Sequence, residues 1–156
     1  MSVATTTLLD RLSALVSLLG RGSLDLPDGV LTRDTVYRLN GVAYDESLGR
    51  PGDPLARLVG RGPGGYRFLL KALRFALPDA RLAIGSLERT SLDGGCRLSG
   101  GARLAGTLRG TGEAFDEPCA LALDYDADGR LAVIHVTMEP AQIARIQTAR
   151  HAETTA

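Results

Sequence analysis

The chain has 156 residues, 44% of them hydrophobic and 23% charged, which suits one domain with a sizeable core. Its 18 basic and 18 acidic residues cancel, so the broad positive field that nucleic acid or anionic lipid would need is excluded. Two cysteines, Cys96 and Cys119, and two histidines, His135 and His151, are too few for a disulfide framework or a zinc cage.

In chain order, the first signal is apolar. Leu8, Leu9, Leu12, Leu15, Val16 and Leu19 recur at the spacing of one helical face and predict a helix over 5–19, with Gly20 and Gly22 to end it. Asp10 and Arg11 interrupt this stretch and no basic region precedes it. It therefore reads neither as a secretory signal nor as a membrane span, and a cytoplasmic protein is expected. A loop over 21–29 carries the turn residues Pro27, Asp28 and Gly29. Thr32 can cap a short helix through Leu39, closed by Asn40 and Gly41, although Val36, Tyr37 and Val42 also suit a strand. A short strand is expected over 42–46, then a Gly- and Pro-rich connection over 49–65 whose length signals function or disorder.

Next comes the clearest helix. Tyr66, Leu69, Leu70, Leu73 and Leu77 make its apolar stripe, Arg67, Lys71 and Arg74 a second one, and Pro78 its end. From residue 80 the period changes to that of strands, over 81–90, 96–109, 115–125 and 130–139. The joining segments are short, at 93–95, 110–112 and 126–129, and connect antiparallel neighbours. Gly100, Gly101 and Gly106 in the second of these strands mark bulges or bends, so the sheet is expected to curl. A short helix over 140–150 and a frayed, disordered tail over 151–156 complete a single domain over 1–150.

The order and local sequence resemble the nuclear transport factor 2-like superfamily, above all its SnoaL-like polyketide cyclase and ketosteroid isomerase branches. Three stretches carry the likeness: Gly62-Pro63-Gly64-Gly65-Tyr66 leading to Pro78-Asp79-Ala80, then Gly106 to Gly112, then Asp126 to Glu139. The resemblance implies an α+β fold: a curved antiparallel sheet, N-terminal helices on its concave face, a cone-shaped pocket and a homodimer. It spans isomerases, cyclases, dehydratases, epoxide hydrolases and binding proteins, so the activity has to come from the site.

Alternation on the last strand puts Val133, His135, Thr137 and Glu139 on one side and Ala132, Ile134, Val136 and Met138 on the other. Glu139 stands where SnoaL-like sequences carry an acid/base carboxylate, and His135 shares its side. The resemblance likewise offers Glu46 as a general base, with Asp45 in its place under a one-residue slip, and Tyr44 as a donor to a developing oxyanion. The competing reading makes these polar strand residues a solvated or dimer-facing side. Tyr66, Leu69, Leu121, Leu123, Tyr125, Val133 and Thr137 are the expected walls of a largely apolar pocket. The first helix lacks a Tyr, and Leu121 stands where ketosteroid isomerases carry a protonated Asp, so that mechanism is not expected. The expected activity is cyclisation, isomerisation or dehydration of a small hydrophobic substrate without cofactor or metal. Epoxide opening by two carboxylates and a non-catalytic binding or dimerisation module are the alternatives.

Overall fold

The leucine repeat near the N-terminus folds as α1 (Thr5–Arg21), which buries Leu8, Leu12, Leu15, Leu18 and Leu19 and ends at Gly22 with φ 67°. The computed structural model describes residues 3–43 and 60–150. The segment at 31–39 is a strand, β1 (Leu31–Leu39), and the short helix expected from Thr32 does not form. Period two decides it. Thr35 and Tyr37 alternate into the interior, and the Thr35 hydroxyl gives its proton to the carbonyl of Leu131 at 2.7 Å. Thr32, the expected helix cap, instead bonds with Thr35 at an irregularity in the pairing of β1. Asn40 and Gly41, both at positive φ, make the two-residue turn into β2 (Val42–Ala43) rather than a helix end.

The second helix, α2 (Gly62–Ala76), begins inside the stretch that reads as a connection. It is followed by β3 (Arg81–Leu92), β4 (Gly95–Thr107), β5 (Ala114–Asp126), β6 (Leu131–Thr137) and α3 (Pro140–Arg150). One curved, open sheet runs β2-β1-β6-β5-β4-β3. All neighbours are antiparallel except β1 and β6, which run parallel. The expected bend is present as a register shift between Ile84 and Leu87, where β3 passes Gly100 of β4.

The three helices among the described residues supply the core on one side of this sheet. Leu18, Leu19, Leu70, Leu77, Leu104 and Leu121 centre one apolar cluster, while Leu8, Leu12, Leu15, Leu98, Leu123 and Tyr125 centre a second. The other side carries cross-strand ion pairs, Arg97–Asp124 at 2.6 Å and Arg103–Asp116 at 2.9 Å. Exposed pairs of this kind contribute at most about 1 kcal/mol each. The fold is held by the apolar side.

Two glycines let α2 approach β1 backbone to backbone. A Cβ on Gly62 would sit 2.2 Å from the carbonyl oxygen of Arg33, and one on Gly65 would sit 2.9 Å from the Tyr37 ring. Into this contact the Tyr37 hydroxyl donates to the carbonyl of Gly62 at 2.5 Å. At the far end, the Asp79 carboxylate accepts from the backbone N–H and the hydroxyl of Thr107, which holds its pKa below the ordinary value.

Gly62→Ala therefore combines a left-handed backbone (φ 63°) with a backbone clash, whereas Gly29→Ala has only the unfavourable φ of 75° and open space around it. Chemical denaturation should show a loss of about 1 kcal/mol for Gly29→Ala and more than about 3 kcal/mol for Gly62→Ala. Equal losses would mean that the close approach of α2 to β1 contributes nothing.

Candidate functional site

The core face gathers polar groups on an apolar floor. Tyr66 descends from α2 and touches both apolar clusters, and its ring lies 6.1 Å from that of Tyr37 on β1, tilted at 40°. The Tyr66 hydroxyl donates to the carbonyl of Leu15 at 2.9 Å, and that of Tyr125 on β5 donates to the carbonyl of Leu8 at 3.3 Å. Burial pushes the pKa of Tyr37, Tyr66 and Tyr125 well above the ordinary 10.0, because a buried phenolate would lose its water. These three groups are hydrogen-bond donors and not bases. Leu121 and Leu123 are buried beside them and Leu69 is half-buried on α2.

The expected site divides between the two faces of the sheet. Val133, His135 and Thr137 do not join Tyr66, Leu121, Leu123 and Tyr125. His135 stands opposite Ala122, and Thr137 opposite Ala120, on the outer side, while Ile134 and Val136 oppose Leu123 and Leu121 on the core side. The reason is again period two. The continuous apolar side of β6 is the one the core takes, and the polar side must then face out. His135 accepts the Gly41 N–H at Nε2, at 3.0 Å, and so ties the β1–β2 turn to β6. Glu139 is exposed, and its carbonyl accepts the N–H groups of Gln142 and Ile143 in the first turn of α3. Tyr44, Asp45 and Glu46 lie outside the described residues.

Two charged groups on the helical side escaped the sequence reading. Glu117 shares its face of β5 with Phe115 and Cys119 and lies 3.8 Å from Arg145 of α3, whose guanidinium sits 5.1 Å from the Phe115 ring. Strand alternation from Leu121 already pointed to Glu117. Arg74 donates to the carbonyls of Leu18 and Ser23 at 2.5 and 2.6 Å, while its buried Nε finds no partner. Nothing in the sequence separates it from the exposed cations of the same stripe. Cys96 and Cys119 are free and buried, and burial pushes the Cys119 thiol up.

Among the described residues, no group of three or more His, Cys, Asp or Glu could hold a metal ion, and no helix is long and apolar enough to cross a membrane. A cleft of about 220 Å³ opens beside the start of α1, between Val3, Leu8, Arg89, Cys96, Asp126 and Gly129. It contains none of the expected site residues.

No family model and no curated protein matches the chain in sequence. Solved structures do match in fold. A protein of Xanthomonas campestris assigned as a polyketide cyclase superposes with a TM-score of 0.61 at 16% identity, over 90% of this chain and 97% of its own. A protein of Jannaschia sp. CCS1 assigned as a SnoaL-like polyketide cyclase gives 0.60 at 14% identity, over 98% and 99%. The epoxide hydrolase/cyclase-like enzyme SalBIII gives 0.60 at 10% identity, over 88% and 94%. The chain therefore has the α+β fold of the nuclear transport factor 2-like superfamily, in the form that SnoaL-like proteins share.

The tyrosine assignment is open to a spectrophotometric titration of the Tyr44→Phe variant, which leaves only Tyr37, Tyr66 and Tyr125. A phenol whose pKa is raised in the folded state stabilises that state fully below its unfolded value of 10.0, and the contribution fades as pH rises through the higher folded value. Phenolate absorbance should thus appear only together with unfolding, at a pH above 10.0. Reversible ionisation near 10.0 with the native circular dichroism intact would refute the burial of these hydroxyls.

Proposed function

We propose that the chain binds a small, hydrophobic, carbonyl-bearing molecule between the core face of the sheet and α2 and α3, and rearranges it by acid/base chemistry. One observation carries this reading. Where the two layers meet, Leu73 of α2, Ile143 and Ile146 of α3, and Leu82, Ile84 and Val136 of the sheet remain half-buried. Close-packed layers bury such side chains fully, and a bound apolar molecule would complete their contacts.

Tyr66 is the donor in this reading. Its acceptor, the carbonyl of Leu15, lies inside α1, so the hydroxyl proton can turn to a substrate oxygen without orphaning a backbone group. Because its phenol holds its proton strongly, it steadies a developing enolate without losing that proton. This reading assigns proton transfer to Glu46 and a second donor role to Tyr44. A carboxylate partly removed from water can take a proton from the carbon adjacent to a carbonyl, whereas His135 faces away from the apolar floor and Glu139 is exposed beyond the end of β6. The polyketide cyclase assignments of proteins with this fold support the substrate class. A cytoplasmic homodimer acting on a polyketide-like substrate of specialised metabolism is the setting this reading implies.

Epoxide opening to a cyclic ether is the second reading. It needs one carboxyl group to protonate the epoxide and another to activate the nucleophile. Glu117, on the core face beside Arg145, favours it as a partner to Glu46, and SalBIII has this fold.

Deuterium exchange tests the primary reading without the true substrate. The protein is incubated with a simple cyclic ketone in heavy water, and loss of the α-proton signal is followed by NMR. Exchange above the buffer rate should fall about 100-fold in Glu46→Gln and in Tyr66→Phe. Glu139→Gln should remain within about twofold of the parent, since its exposed carboxylate lies in water beyond the end of β6. Exchange at the buffer rate despite ketone binding would reduce the chain to a binding module. A collapse confined to Glu139→Gln would return the role of proton carrier to Glu139.

A further inference from the structure

One interior donor lacks an acceptor. Among the described residues, the Nε of Arg74 is the side-chain polar atom that is closed from water and bonded to nothing. Such an N–H has lost its water and gained no partner, a state that folded proteins seldom tolerate unless something further binds there. The rest of the guanidinium is accounted for. Its Nη2 donates to the carbonyl of Leu18, in the last turn of α1 where helix carbonyls lack a partner of their own. It also donates to the carbonyl of Ser23 in the loop that follows. No ion pair between described residues includes Arg74, and Asp25, exposed two residues past Ser23, is not one of its partners.

The surroundings of Arg74 are apolar. Leu73 beside it belongs to the half-buried group between the two layers, and Leu24 and Leu26 of the loop are half-buried against the same cluster. Tyr66 is close by. Its hydroxyl donates to Leu15 and Arg74 donates to Leu18, carbonyls about 4.5 Å apart along α1. The charge of Arg74 also partly offsets the effect of burial on the Tyr66 phenol.

We infer that the molecule bound at this site is an acid and that Arg74 holds its carboxylate. The inference rests on the apolar site between α2, α3 and the sheet proposed above. One carboxylate oxygen accepts the Nε–H of Arg74. The other replaces the Ser23 carbonyl at Nη2, which shares an edge of the guanidinium with Nε. The Leu18 carbonyl is fixed in a helix and stays, whereas that of Ser23 belongs to a loop and turns to water, which opens the way to Nε. A charged acceptor thus takes the place of a neutral one, and the planar fork of an arginine suits a carboxylate. The apolar body lies along Leu73, with a ketone oxygen at Tyr66. The ligand class narrows to a hydrophobic oxo acid.

Octanoate and its neutral isostere octanamide are the probes, titrated into isotope-labelled protein. Calorimetry should give octanoate a Kd about tenfold below that of octanamide. The Nε–H signal of Arg74 in the NMR spectrum, identified by its absence from Arg74→Lys, should shift with octanoate and hold still with octanamide. Arg74→Gln should bring octanoate to the level of octanamide and leave octanamide within about twofold of the parent. If that variant loses its fold, the Nε–H signal of the parent protein decides alone. Equal affinity of the parent for the two probes overturns the carboxylate site and leaves the apolar site standing. So does tighter octanoate binding that leaves the Arg74 signal in place. Protein that takes up neither probe removes the apolar site, and the acid with it.

Discussion

The structure depends on the contact between the start of α2 and the back of β1. Gly62 and Gly65 remove the side chains that would hold helix and strand apart, and Tyr37 fills the space with its ring and bonds the Gly62 carbonyl. From that anchor α2 carries Tyr66 over the sheet to the carbonyl of Leu15, and Arg74 to that of Leu18. One helix thus positions another through side chains that reach backbone oxygens. Each such bond contributes about 1 kcal/mol, and the apolar clusters beneath provide most of the stability.

The two faces of the sheet have different roles. The core face holds leucines and tyrosines, and the hydroxyls of Thr35, Tyr66 and Tyr125 are satisfied there by backbone carbonyls. The outer face holds arginine–aspartate pairs and His135. A functional group on β6 can belong to one face only. That is why His135 cannot share the apolar floor that Leu121 and Tyr66 define.

Most of the fold was legible from residue spacing. The leucines of α1, the stripe of α2 and the period-two runs of β3 to β6 predict elements that the structure places within a few residues. The segment at 31–39 was ambiguous because Thr32 and Asn40-Gly41 satisfy the local rules for both a capped helix and a hairpin. The choice fell to a partner far along the chain, where Leu131 accepts the Thr35 proton. The site was less legible. Alternation correctly divides β6 into a polar and an apolar side, but does not say which one the helices cover. The core took the apolar side, and the polar residues that chemistry would select went with the other.

The parallel pairing of β1 with β6 has a consequence for how the chain is made. Leu31 meets Leu131 about a hundred residues further along, and no nearer strand can take the place of β6 in the sheet order. During synthesis the meander of β3, β4 and β5 can pair as each hairpin emerges, because those contacts are local. β1 is made before them and must wait for β6, so its unsatisfied edge stays open through most of translation. The pairing of β1 with β6 therefore forms after the meander, whereas the β1–β2 hairpin and the contact with α2 are local and need not wait for it.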